Sequence, residues 1–299
     1  MNTSFKYKVY LPVRKEYIYF EQLTHDNFTT IAKVIANNDD LLLNNMFERI
    51  VNDLSGKKIK CNEITKIDMF CVLLNVFIMC VKSSIEMNIG VKEGAKQKIR
   101  LELYDMLDKV TNFDFEYKQQ IKINDDLSVV LKPPTALLIP DADDVVVECI
   151  DTLTIFNEEY MIKDLTIKQK HEIFEGLPSG TINKIFSKMQ EIDEIYKLDV
   201  LKYGPEPEEK ITISLYNTSM FEVLKLIYRQ NLQAQYFYTY FLSKHLGVTD
   251  PGSMTPAEVQ IYLDLHKQEH KEQEKQRKAQ EKKSKTGQHL GTDIPTGGI

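Results

Sequence analysis

No CxxC pair, no glycine-rich phosphate loop, no nucleophile elbow and no bilayer-length apolar run occur in this chain of 299 residues. Each absence removes a class of function. Without CxxC, neither a zinc ribbon nor a dithiol redox site has its ligands. Without GxxxxGK[ST], GxGxxG or GxSxG, phosphate-loop, dinucleotide-binding and hydrolase readings have no anchor. The longest apolar run, Met69 to Val81, is broken by Asn75. It is too short to span a bilayer and reads as a buried core helix. Tryptophan is also missing, so the aromatic residues are Tyr and Phe only. Of Cys61, Cys71, Cys80 and Cys149, three lie in or beside apolar runs, where a free thiol behaves as a small hydrophobe. With no secretory signal at the start, a reducing cytoplasm is the expected setting. The chain is expected not to be an enzyme and to need no cofactor.

Positive charge is also scarce outside one segment. The net charge is -6. His266–Lys285 carries eight Lys/Arg against four Glu, hence +4, which leaves -10 elsewhere. An acidic body disfavours phosphate contacts, so nucleic acid is an unlikely partner. The composition, 42% hydrophobic and 27% charged, fits a globular protein of one to three domains.

What is present is a mixture of helical and strand patterns. "FKYKVYLPVRKEYIYFEQLT" alternates on both sides of a turn and predicts a β-hairpin, with apolar residues on both faces and hence cover expected on both. Thr24 or Asp26 caps a helix running to Ala36. Helical spacing follows over Leu41–Leu54, and the core helix over Lys66–Ser83. "SIEMNIGVKEGAKQKIRLELYDML" predicts a second hairpin, and "DFEYKQQIKINDDLSVVLKPP" a third, ended by Pro133-Pro134. Asp141–Ile155 reads as a helix with Asp143 and Asp144 in its first turn. Helices follow at Ile167–Glu175 and Gly180–Glu191. Another hairpin falls at about 197–216, then helices over Thr218–Gln230 and Leu232–Leu246. Thr255-Pro256-Ala257-Glu258 is a helix start with Thr as N-cap, Pro at N1 and Glu at N3. The fold class is α+β, predominantly helical, with several inserted β-hairpins and a long C-terminal helix. The expected organisation is an α+β region over 1–135 and a helical region over 136–250. A helix over 251–285, basic in its second half, and a disordered tail over 286–299 complete it.

Few residues suggest chemistry. His266 and His270 stand at i, i+4, where two imidazoles can chelate zinc. The residue after the first is Lys267, not the glutamate a zinc protease uses as base. The pairs Asp39-Asp40, Asp125-Asp126 and Asp143-Asp144 fall at turns or helix starts, where aspartate caps. No metal site is therefore expected. The aromatic stretch "YFYTYF" builds a helix face that either packs internally or meets a partner. Tyr236, Phe237, Tyr240 and Phe241 are its candidate contact residues. In the last helix Val259, Tyr262, Leu263 and Leu265 form an apolar stripe, widened by Ile261, and are the other candidates. After Leu265 the only apolar residue before Lys285 is Ala279, so a long coiled coil is excluded. Two docked turns and a fraying, solvated extension are expected.

Several stretches, taken in order, resemble the tailed-phage (T-even-like) baseplate hub and tail assembly chaperone family. They are "YKVYLPVRKEYIYFEQLT", "IKINDDLSVVLKPP", "VVVECIDTLTIFNEEYMIKDLTIKQKHEIFEGLPSGTINKIFSKM" and "MFEVLKLIYRQNLQAQYFYTYFLSKHLGVTDPGSMTPAEVQIYLDLH". The resemblance runs from about Lys6 to Leu265 and is densest from Val145 to Met189. It implies a non-enzymatic morphogenesis protein that assists baseplate assembly in the host cytoplasm. Its partners would be hub or tape-measure proteins, with self-association a further option. Many members carry CPxCG knuckles at hairpin tips. Here the tips read "KEGAKQ" and "YGPEPEE", so no structural zinc is implied. A structural subunit retained in the virion is the alternative.

Overall fold

The computed structural model describes residues 6–60, 64–90, 96–112, 118–132, 149–195, 197–201, 210–214, 219–229 and 231–287. Their architecture is α+β and predominantly helical, with β-hairpins set among the helices and a long final helix.

One helix organises the core. α3 (Lys66–Cys80) buries 13 of its 15 residues. A helix that is apolar on all sides must be covered on all sides. The hairpin β1 (Lys6–Leu11) and β2 (Glu16–Glu21), α2 (Asp40–Leu54), α4 (Leu103–Thr111) and α7 (Ser219–Tyr228) supply that cover. Thr65 caps α3, its hydroxyl accepting from the Asp68 amide at 3.2 Å. The Asp68 carboxylate, buried under the β1–β2 turn, accepts from the Val13 amide at 2.9 Å.

The first hairpin is covered on one face only. Val9, Leu11 and Phe20 are buried, whereas Tyr17 and Tyr19 face solvent. Lys8 lies over the Tyr17 ring at 4.2 Å, so the outer face is finished with a cation–π contact. This corrects the expectation of two covered faces. α1 (His25–Ala36) starts at Thr24, whose side chain accepts from Asn27 at 3.2 Å. Asp39 caps α2 in the same way, accepting from Leu42 at 2.9 Å.

The hairpin β3 (Ser84–Gly90) and β4 (Lys96–Glu102) forms as expected, but the chain then turns at once into α4. "LYDML" had read as the continuation of a strand. Leu103, Met106 and Val110, at i, i+3 and i+7, are buried and give α4 its inner face. A second correction concerns the helix expected over Asp141–Ile155. Residues 133–148, with Pro133-Pro134 and Asp143-Asp144, lie outside the described residues, and Ile150–Ile155 is a strand, β7. The strand is held by pairing with β6 (Leu127–Leu131), and "IDTLTI" suits it because β-branched residues fit a pleated surface better than a helix.

β7 completes an antiparallel sheet in the order β5 (Gln119–Lys122), β6 (Leu127–Leu131), β7, β8 (Glu158–Met161). Asp151 is buried there and is held by Lys118 at 2.6 Å. α5 (Ile167–Glu175) starts with a Thr166–Gln169 capping box, and α6 (Ser179–Ile195) buries Ile185 and Met189. The hairpin β9 (Lys197–Leu201) and β10 (Lys210–Ser214) follows, as expected.

α7 then returns to the middle of the molecule. Met220, Phe221, Leu224, Ile227 and Tyr228 are buried. The Tyr228 ring packs against Phe28, Phe47 and Phe77 with centroids 5.8, 5.5 and 5.2 Å away. Its hydroxyl donates to the Leu73 carbonyl at 2.8 Å. α8 (Leu232–His245) and α9 (Pro256–Gly287) close the fold. α9 stays helical through Gly287 rather than fraying after its second turn. The rest of the expected tail, 288–299, is outside the described residues.

Candidate functional site

α8 and α9 share a small core of their own. Leu242, Val259 and Leu263 are buried together, with Tyr238, Phe241, Leu246, Val248 and Met254 against them. α9 enters this core at a fixed angle because its start is doubly capped. The Thr255 amide donates to Glu258 Oε2 at 2.7 Å, and the Glu258 amide donates to Thr255 Oγ1 at 3.2 Å. Val259 and Leu263, read from the sequence as contact residues, are therefore turned inward and serve as the joint between the two helices. Tyr262 and Leu265, from the same stripe, remain exposed, as does Ile261.

A second joint ties this pair to the main core. The His25 amide at the start of α1 donates to the Met254 carbonyl at 2.5 Å. Its buried ring places Nε2 3.2 Å from Thr239 Oγ1. That hydroxyl already donates to the Gln235 carbonyl at 3.0 Å, so the imidazole is the donor to it. Burial lowers the His25 pKa below its ordinary 6.5, and the Asp26 charge opposes this only in part.

With its inner side occupied, α8 turns its aromatic residues outward. Tyr236, Phe237 and Tyr240 are 53%, 57% and 58% exposed. They form a ridge rather than scattered rings. Phe237 stacks on Phe241 at 5.9 Å, and Phe241 stacks on His245 at 5.0 Å and meets His266 edge-on at 4.9 Å. Lys33 of α1 lies 5.1 Å over the Tyr236 ring. Phe241 is thus half-buried and acts as the strut of the ridge. His270 stands 6.5 Å from His266. Among the described residues no group of three or more His, Cys, Asp or Glu is placed to hold a metal ion.

The rest of α9 is a bare polar rod. From Asp264 to Lys282 only His266 is even partly covered. Glu274 pairs with Lys278 at 2.7 Å and Arg277 with Glu281 at 3.5 Å, both at i, i+4. Such pairs support an isolated helix by a few tenths of a kcal/mol each. No helix among the described residues is long and apolar enough to cross a membrane.

The acidic pairs have structural partners. Asp39 caps α2, Asp40 binds Lys225 at 2.8 Å, and Asp125 binds Lys122 at 2.7 Å. The cysteines within the described residues are interior: burial pushes the Cys71 and Cys80 thiols up, and Cys80 Sγ accepts from the Leu23 amide at 3.2 Å. Tyr7 beside it is pushed up to about 12, by burial first and the Cys80 thiol second.

One exposed residue escaped the sequence reading. Phe156, at 72%, is more exposed than any of the ridge residues. "TIFNEEY" contains the signal: two strand-like runs separated by two residues, Phe156 and Asn157, that must form the turn.

A family model described as "T4 bacteriophage base plate protein" matches residues 3–202. No curated protein and no solved structure matches the chain. The match covers the β1–β2 and β3–β4 hairpins, the core helix and the four-stranded sheet. It ends before α7, so the stretch from Met220 to His266 quoted above for its resemblance lies outside it.

Proposed function

We propose a role for this chain on the premise that it belongs to the T4 bacteriophage base plate protein family. A member of that family has a structural or assembly role in the phage tail baseplate, in contact with other baseplate or tail proteins. The specific reading is a non-enzymatic tail morphogenesis protein. It binds hub or tape-measure components in the host cytoplasm and holds them competent for baseplate assembly, by binding energy alone.

The observation that carries this reading is the outward aromatic ridge of α8. Three neighbouring rings, each more than half exposed, stand on a helix whose other side packs with α9 in a small core of their own, tied to α1 through His25. Rigid aromatic side chains lose little entropy on docking and dominate binding energy where they are enclosed. Tyr262 and Leu265 of α9 extend the apolar area toward the bare helix.

Co-expression with the hub and tail proteins of the same phage, followed by native mass spectrometry, tests the reading. A soluble complex with a hub or tape-measure protein is expected, weakened at least tenfold by replacing Tyr236, Phe237 and Tyr240 together with alanine. No complex with any of them overturns it. The family's description favours a second reading, a subunit that stays in the baseplate. Mass spectrometry of purified virions separates the two, because an assembly factor that leaves is absent from them and a subunit is stoichiometric.

A further inference from the structure

α8 and α9 form an arm whose small core is separate from the main one. Of the main-core elements described, α1 alone meets α8, α9 and the turn Pro251–Ser253 before α9 at more than isolated points. Elsewhere the two bodies do not close on each other. A cavity of about 290 Å³ lies between them, with Phe28, Phe77 and Ile227 on the core side and Tyr238, Val259 and Gln260 on the arm side. The arm therefore hangs on α1.

Two neighbouring residues make most of that attachment. A Cβ on Gly252 would run into the Asp26 carboxylate, so the turn before α9 lies directly against α1. His25 reaches further: its backbone N–H holds the Met254 carbonyl and its ring holds Thr239 of α8. The ring is buried, and its Nε2–H is spent on the Thr239 hydroxyl. Nδ1 has no hydrogen-bond partner among the described residues. As the lone pair of a neutral ring it is tolerated. As the N–H of an imidazolium it would be an unpaired donor carrying an enclosed charge, which is far more costly.

The neighbours do little to carry that charge. Asp26 acts on the ring but offsets burial only in part. α8 offers the Thr239 hydroxyl and the Gln235 carbonyl, which are already bonded to each other. Glu258 of α9 is bonded to the Thr255 amide and hydroxyl in its capping box, and Asp250 is exposed. Lys33, further along α1, is a like charge and lies over Tyr236. Tyr7 and Cys80, beneath Leu23, have raised pKa values and stay neutral. We propose that His25 is a proton-operated latch: on taking up a proton it lets go of Met254 and Thr239, and the α8–α9 arm comes away from α1 with its own small core intact. In the released arm the ring titrates at its ordinary 6.5, so the latch is fully held above that pH and is lost as pH falls through the lower value of the closed site. The coupling is reciprocal. A partner that draws the arm off α1 makes His25 bind its proton more tightly, and such a partner binds better in mild acid.

The test is amide hydrogen exchange of the full chain at pH 7.5, 6.5 and 5.5, each rate taken relative to an unstructured peptide at the same pH. Protection in α8 and in the first two turns of α9 should fall by up to about tenfold per pH unit below 6.5, the limit for one proton, while protection in α3 does not fall. In His25→Gln the side-chain amide can still donate to Thr239 but does not titrate, so protection of the arm should be the same at all three pH values. Thr239→Val removes the acceptor and should lower protection of the arm already at pH 7.5, with α3 again showing that the molecule is folded. A wild-type arm equally protected at all three pH values overturns the proposal. A loss shared with α3 overturns it as well, because that is global unfolding. An equal loss in His25→Gln places the titration elsewhere, and an unchanged arm in Thr239→Val shows that the ring holds nothing; either result also overturns it. None of these results bears on capture of a hub protein by the aromatic ridge, which is read from complexes at neutral pH.

Discussion

The Asp68 carboxyl should make the protein more stable in mild acid than at neutral pH, against the usual direction for a carboxylate. Its side chain is fully buried at the first turn of α3, beneath the β1–β2 turn. Burial raises its pKa from the ordinary 3.8 to about 6. Hydrogen bonds from the Val13 amide, Thr65 and the Arg14 amide, and the Arg14 charge, oppose the shift without cancelling it. The folded pKa lies above the unfolded one, so the folded state holds this proton more tightly. The resulting stability is fully present below pH 3.8 and is lost as pH rises through 6. A shift of about two units corresponds to about 3 kcal/mol, of which about 2 kcal/mol disappears between pH 4.5 and 7.5. Asp68→Asn keeps the acceptor for Val13 and cannot ionise. Urea unfolding of both proteins across that range isolates the effect, since every other titration cancels in the difference. The wild type should fall relative to Asp68→Asn by about 2 kcal/mol. Parallel profiles would refute the argument and mean that the carboxylate is solvated or paired in the folded state.

Other outcomes follow from the same physical reading. His25 has the opposite linkage: its folded pKa is depressed, so the stability it contributes is present above pH 6.5 and lost as pH falls through its folded value. Relative to a His25→Gln variant, the wild type should weaken between pH 7 and 5, measured by chemical denaturation. Tyr228→Phe removes one hydroxyl from a fully packed ring and should cost about 1 kcal/mol. Tyr228→Ala empties the centre of the aromatic cluster and should cost about 3–5 kcal/mol. Calorimetry that finds the two equal would show that the hydrogen bond, not the packing, holds α7 to α3. Thr255→Ala breaks the α9 capping box and should cost about 1 kcal/mol. It should speed amide exchange in the first turns of α9 while leaving α3 protected.

The features legible in the sequence were those decided within a few residues. The N-caps at Thr24 and Thr255 are local hydrogen bonds, and the outlying hairpins are local alternations. The apolar stretch from Met69, broken only by Asn75, already required a helix enclosed on every side. What was not legible depends on partners far along the chain. β7 was misread because acidic residues before it suggested a helix start, whereas its place is decided by pairing with β6. α4 was missed because "LYDML" directly follows a strand and only the packing of Met106 and Val110 makes it helical. At the candidate site the stripe of the last helix was visible, but not which residues point inward. Val259 and Leu263 are taken by Leu242 of α8, and that follows from how the two helices cross. Phe156 was passed over because an aromatic residue between two strands ordinarily belongs to one of them.

The enclosure of α3 also has a bearing on synthesis. Tyr228 reaches Leu73 across 155 residues. Until α7 leaves the ribosome, one side of the most apolar helix in the chain has nothing to rest on. Such exposed surface is what makes partly made proteins aggregate. The long-range closure that relieves it is also slow compared with local pairing. Truncated products ending before residue 219 should therefore bind holding chaperones, and a translational pause upstream of α7 would prolong that hazard. The four-stranded sheet, the hairpins and α1 can all form early, but the molecule becomes safe from its own interior only when about three quarters of it has been made.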